Sequence, residues 1–98
     1  MKTITTILPT KIVHASTLLE TIAHIAGGYT ATPSTGGWID DIGNLIEEPV
    51  TVVTVAVSTS WEATRVQNTA VEIARAFGEQ ALYWQDTAGE VEIIALQN

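Results

Sequence analysis

The sequence predicts an α+β fold: a ferredoxin-like βαββαβ sandwich whose antiparallel sheet carries two helices on one face, with one small extra strand at the C-terminal end. Three observations predict it. Two segments with helical apolar spacing each open on Thr-x-x-Glu and close on glycine. Each is flanked by runs of β-branched residues, and the run Val50 to Val57, V-T-V-V-T-V-A-V, is the strongest strand signal in the chain.

The elements follow in order. T-I-T-T-I-L-P-T, from Thr3, is a first strand stopped at Pro9, a residue without a ladder donor. Between Thr17 and Ala26 the period changes: Leu18, Leu19, Ile22, Ala23, Ile25 and Ala26 fall at helical spacings, Thr17 with Glu20 reads as a capping box, and Gly27-Gly28 close the helix. Tyr29 to Ile39 is the second strand, but Pro33 and Gly36-Gly37 bar it from the sheet centre and leave an edge, a bulge or a returning loop. Asp40-Asp41-Ile42-Gly43-Asn44 has the chemistry of a hairpin tip or flexible loop. Val50 to Val57 belongs mid-sheet. Thr59 to Glu62 is a second capping box, opening a helix with Ala63, Val66, Ala70, Ile73 and Phe77 on one face and Gly78 at its end. Ala81 to Gln85 and Val91 to Leu96 are two short strands about a tip at Asp86-Thr87-Ala88-Gly89. The sheet face away from the helices needs cover, which packing between copies would supply.

The 98 residues, free of repeats and linkers, read as one domain spanning 1–98. A chain of this length buries only about two-thirds of its unfolded surface. With 46% hydrophobic and 15% charged residues it is apolar for a small monomer, so a homo-oligomer, dimer or trimer, is expected. Eleven acidic against four basic residues give a net charge of −7, and the cations Lys2, Lys11, Arg65 and Arg75 are scattered singly. That excludes a nucleic-acid backbone as partner. An acidic decoy of DNA would need denser carboxylates along one face, so the charge is better read as serving solubility. The absence of cysteine excludes disulfides, thiolate nucleophiles and Cys-type zinc sites. No run of eighteen apolar residues and no leader pattern in Met1 to Pro9 is present, so no membrane partner and a cytoplasmic location are expected.

Few residues carry recognisable chemistry. His14 and His24 are ten positions apart, not the helical pair that binds metal, and no metal or cofactor is expected. Asp40, Asp41, Glu47 and Glu48 flank a turn without calcium-loop spacing; solvated turn carboxylates explain them, although strand alternation points Glu47 or Glu48 inward or toward a partner. Ser16, Ser58 and Ser60 sit at helix starts, Ser34 is in no nucleophile motif, and the glycine pairs lack the lysine of a phosphate loop. Trp61 and Trp84 read as packing residues. Trp38, between two glycines and two aspartates, reads first as core or interface packing and second as a platform for a ligand. The candidate ligand-binding set is therefore Tyr29, Gly36, Gly37, Trp38, Glu47 and Glu48.

The pattern G-G-Y-T, then G-G-W at Gly36 to Trp38, then Gly43 and Glu47-Glu48 before a valine-rich strand, resembles small ferredoxin-like, PII-like proteins of phages and bacteria. The helix-to-strand crossing from Ala70 to Trp84 is similar to the same group. More specifically, Thr35-Gly36-Gly37-Trp38 and Glu47-Glu48 resemble a turn and paired glutamates of the phage S-adenosylmethionine lyases, whose resemblance implies a trimer with ligand sites between subunits. Their turn aromatic is a tyrosine, so a role for a hydroxyl is lost at Trp38. Lyase chemistry, which forms methylthioadenosine and homoserine lactone, is intramolecular and asks mainly for positioning. It would use Glu47 or Glu48 and the ring of Trp38 around the sulfonium. The sequence thus leaves an oligomeric phage-type accessory protein, binding a nucleotide-like ligand or a host protein at an inter-subunit cleft, beside the lyase.

Overall fold

The computed structural model describes residues 2–86 and 91–96. Along the chain run β1 (Lys2–Pro9), α1 (Thr10–Ala15), α2 (Leu18–Ala26), β2 (Thr30–Ile39), β3 (Leu45–Val57), α3 (Ser60–Ala76), β4 (Ala81–Asp86) and β5 (Val91–Ala95). The strands form one sheet in the order β2-β3-β1-β4-β5, with every neighbouring pair antiparallel. The first four are the sheet of a ferredoxin-like fold; β5 is the extra strand.

Strand alternation sorts the sheet into two faces. Ile4 and Leu8 of β1, Val53, Val55 and Val57 of β3, and Leu82 and Trp84 of β4 turn toward the helices and pack with Ile12, Leu18, Ile22, Val66, Ala70 and Ala74. Alanine at 70 and 74 keeps the buried stripe of α3 narrow, which lets the helix lie close to its neighbours. The polar exceptions in this layer are satisfied. Thr6 donates its hydroxyl to the Tyr83 carbonyl at 2.7 Å, and Thr51 shares a 2.9 Å hydrogen bond with Thr10. The other face, with Thr3, Thr5 and Ile7 beside Val52, Thr54 and Ala56, has no helix over it among the described residues.

The helix boundaries show where local chemistry decides. Thr59 is extended (φ −135°, ψ 160°), accepts from the Glu62 amide at 3.1 Å, and Glu62 reaches back to the Ser58 amide at 2.7 Å. The second predicted capping box is thus made one residue wide of its usual reach. The first is not made: Thr17 lies at φ −92°, ψ 16°, outside the extended region an N-cap needs, and Ser16 Oγ takes the Leu18 amide at 3.4 Å instead. At the far end of α3, Gly78 at φ +82° gives its amide to the Arg75 carbonyl while Glu79 bonds to Ala74, a Schellman ending that glycine makes accessible.

Two elements differ from the sequence reading. A third helix, the six-residue α1, follows Pro9 directly, because a proline at φ −53° both ends the ladder and starts a helical turn. β3 begins at Leu45 rather than Val50 and runs through Pro49. β2 is unbroken through Pro33 and the glycine pair, and it is an edge strand, where a missing donor is tolerated. Beyond Asp86, the expected β4–β5 tip lies outside the described residues. Among the described residues, no helix is long and apolar enough to cross a membrane.

Candidate functional site

β1 pairs with β3 only from Val50 to Val57, so Leu45 to Pro49 has a single neighbour, Thr35 to Ile39 of β2. This half of the hairpin is a two-stranded arm, in a molecule 43 Å long and under 30 Å across its other axes (29 × 27 Å). Its tip is closed by Asp40, whose carboxylate accepts from the Ile42 amide at 3.0 Å and the Asn44 amide at 2.8 Å, and by Gly43 at φ +88°. Asp40 is therefore committed to the turn. Among the described residues, no three His, Cys, Asp or Glu side chains gather where a metal ion would sit.

Register divides the predicted site residues on the arm. Gly36 pairs with Glu48 and Trp38 with Ile46 on the face without helices, whereas Gly37 pairs with Glu47 and Ile39 with Leu45 on the other. Trp38 and Glu48 are thus diagonal neighbours on one face, separated by about 7–8 Å between backbones, within reach of a large ring. Glu47 points away from them and is exposed; Glu48 is half-buried. Trp38 is 47% exposed, so it is not a core residue in this chain, and Ile39, Ile42 and Leu45 beside it are 63%, 82% and 62% exposed.

Gly36 has a packing reason. A Cβ there would lie 2.9 Å from Val50 Cγ1, and Val50 is a stiff β-branched residue that is itself buried. Gly36→Ala is expected to destabilise by about 1–3 kcal/mol, because overpacking outweighs the ~0.4–1 kcal/mol gained from a stiffer unfolded chain. Denaturant unfolding of Gly36→Ala, Val50→Ala and the double variant measures this. Additive losses in the cycle would show that no clash exists.

Tyr29 lies elsewhere. It precedes β2, and Thr30 and Trp38 are eight residues apart on that strand, about 26 Å at ~3.3 Å per residue. The structure therefore brings Trp38 to Glu48 but separates Tyr29 from both. Around Tyr29 is a second place of interest, a cleft of about 390 Å³. Its floor is Thr3, Ala56, Thr54 and Thr30, successive pairs across β1, β3 and β2 on the helix-free face; its wall is Gly27, Gly28 and Tyr29 at the end of α2. Sequence reasoning does not single out the floor residues. Their one signal is the alternation of threonine with buried aliphatics, which marks this face without marking a cleft.

The remaining candidates are plainly placed. His14 and His24 are exposed, and His24 approaches only Glu20, at 3.9 Å. Trp84 is buried as predicted, but Trp61 is 66% exposed and carries the Arg65 guanidinium 4.8 Å over its ring. One turn separates them, so a cation–π pair replaces the packing expected of Trp61. A larger hollow, about 580 Å³, runs along α3 between Arg65 and Arg75, but a single helix forms its wall.

The sheet order and split connections define the class: an α+β, ferredoxin-like protein with one added edge strand. No protein-family model and no curated protein matches the sequence. Among solved structures it is similar to a phage SAM lyase in complex with S-methyl-5'-thioadenosine (TM-score 0.71, 11% identity, 96% of this chain and 88% of that one). It is likewise similar to a phage SAM lyase in its apo state (TM-score 0.72, 11% identity, 99% of this chain and 90% of that one). At this identity the likeness establishes the fold.

Proposed function

We propose that this chain is a phage-type S-adenosylmethionine lyase that works at a cleft between copies of itself. The observation that carries the reading is the end-to-end likeness, 96% and 99% of the chain, to two phage SAM lyase structures. In the reaction a carboxylate oxygen of the substrate attacks its own γ-carbon. The carbon–sulfur bond breaks, its electron pair neutralises the sulfonium, and methylthioadenosine leaves as homoserine lactone closes. Both partners of the reaction are in one molecule, so no enzyme nucleophile is needed, and holding the substrate folded supplies much of the acceleration.

Trp38 and Glu48 suit the cationic end of such a ligand. A sulfonium over an indole face gains cation–π attraction, and a carboxylate on the same side adds charge attraction. The cleft at Tyr29 is too far away to share a small ligand with them within one chain. A second copy laying its arm across that cleft would join the two, which is the reason for expecting a dimer or trimer.

Incubation with S-adenosylmethionine, followed by chromatography, is expected to yield methylthioadenosine and homoserine lactone, and light scattering a mass above that of one chain. Substrate binding without product would replace the lyase by the second reading, a non-catalytic accessory protein. The exposed Ile39, Ile42 and Leu45 at the arm tip favour that alternative, since they suit contact with a protein. A monomer at micromolar concentration would remove the shared cleft.

A further inference from the structure

We propose that the outer edge of β2 pairs with the same edge of a second copy, antiparallel about a two-fold axis at Ser34, so that the two sheets continue into one. The pairing is read from the edge itself; its bearing on a shared site rests on the lyase reading.

β2 ends the sheet, and every residue along it except Ala31 and Gly36 is exposed. Such an edge offers a row of backbone donors and acceptors to any other strand, and proteins guard it with charged side chains, lysine above all. Thr30–Ile39 carries none, although it is 10 residues long. Pro33 is its one guard, and it removes a single donor. In a chain of net charge −7, an uncharged strand lets two copies meet without setting carboxylate against carboxylate. The opposite edge, β5, is only 5 residues long and holds the exposed Glu92.

The register follows from the faces and the exposed apolar groups. Residues directly opposite in an antiparallel pair share a face, so even-numbered residues of one copy must meet even-numbered residues of the other. Two such registers overlap almost the whole strand, with the axis at Ser34 or at Thr35. With Ser34 on the axis, Tyr29, 43% exposed, comes opposite Ile39 of the second copy, 63% exposed, and each covers the other. With Thr35 on the axis, Tyr29 would meet Asp41 and Ile39 would meet Ala31. The Ser34 axis therefore buries more apolar surface. It also sets Trp38 opposite Thr30 of the second copy, one strand spacing of about 4.8 Å away. Thr30 lies on the floor of the Tyr29 cleft. The ring on the arm and the cleft, at opposite ends of one strand, become neighbours between two strands.

The chain has no cysteine of its own, so a single introduced thiol reports the axis. Ser34→Cys is expected to give a disulfide-linked dimer on mild oxidation, because residues directly opposite have Cα atoms about 4.5–5.5 Å apart, within the span of a disulfide. Thr32→Cys, about 13 Å from its own copy at ~3.3 Å per residue, is expected to remain unlinked on a non-reducing gel. Light scattering is expected to give the mass of two chains. Ser34→Glu sets its carboxylate against itself and is expected to weaken the dimer about tenfold or more, and mixing it with Ser34→Lys to restore association. If Ser34→Glu fails to fold, as its melting curve would show, the two cysteine variants decide. A mass of one chain or of three, or Thr32→Cys linking as readily as Ser34→Cys, overturns the pairing, and lyase activity in that protein leaves the lyase reading standing. A dimer linked at Ser34 that releases no methylthioadenosine upholds the pairing and removes the lyase reading.

Discussion

Truncating Ile22 to alanine is expected to lower the unfolding free energy by about 2–4 kcal/mol and the melting temperature by about 10–25 °C. Ile22 is fully buried in the middle of α2, within the cluster that joins the helices to β1 and β3. Three carbons are lost, worth ~0.8 kcal/mol each on transfer alone, and a cavity term adds to that where the surroundings do not collapse. The better helix propensity of alanine returns only about half a kcal/mol. Small domains are stable by roughly 5–15 kcal/mol, so the loss is a large fraction of the total. Thermal unfolding by circular dichroism reads it directly. A shift of under about 2 °C would place Ile22 outside the core that the fold requires.

The second large effect separates the two adjacent glutamates. On the lyase reading, Glu48→Gln is expected to raise the KM for S-adenosylmethionine about tenfold or more with kcat unchanged or raised, and Glu47→Gln to have the smaller effect. The face assignment underlies the asymmetry: Glu48 is on the side of Trp38, and Glu47 is across the sheet from it. The direction follows from the chemistry. A carboxylate attracts the sulfonium most strongly before reaction, when the positive charge is whole, and this attraction fades as the carbon–sulfur bond breaks. Such a group tightens the substrate without favouring its transition state. Steady-state kinetics of both variants settles the matter: a fall in kcat at constant KM for Glu48→Gln would make it a participant in the chemical step rather than a group that only holds the cation.

Much of the architecture was legible because its signals are local and repeated. The alternation through V-T-V-V-T-V-A-V, the Thr59–Glu62 cap and the glycine ending at Gly78 each encode one geometry. The six-residue α1 was hidden because Ile12 and Val13 are adjacent apolar residues, too few to reveal a helical period. Thr17 carried the composition of a cap without the backbone angles, which tertiary packing sets. On the arm, sequence alone reduced the choice to two glutamates and an aromatic; only the register between β2 and β3 shows which of them share a face. The cleft was illegible for a different reason. Its floor comes from three strands that are far apart in sequence, and no pattern within any one of them distinguishes a threonine at a cleft from one on an ordinary exposed face. Trp61 shows the limit of residue type: an aromatic normally assigned to packing is held outside by an arginine four residues on.

The sheet order has a consequence for how the chain comes together. β1, between β3 and β4, precedes both of its partners: Ile4 faces Val55 on one side and Asp86 on the other. A strand rich in threonine and isoleucine therefore emerges from the ribosome with two bare edges, and neither is covered until Val50 to Val57 of β3 has followed. Closing such distant pairs costs loop entropy before it returns contacts, the hallmark of slow topologies. The threonines that alternate along β1 then serve the nascent chain as well as the finished one, since they keep one face of an unpaired strand wettable while it waits.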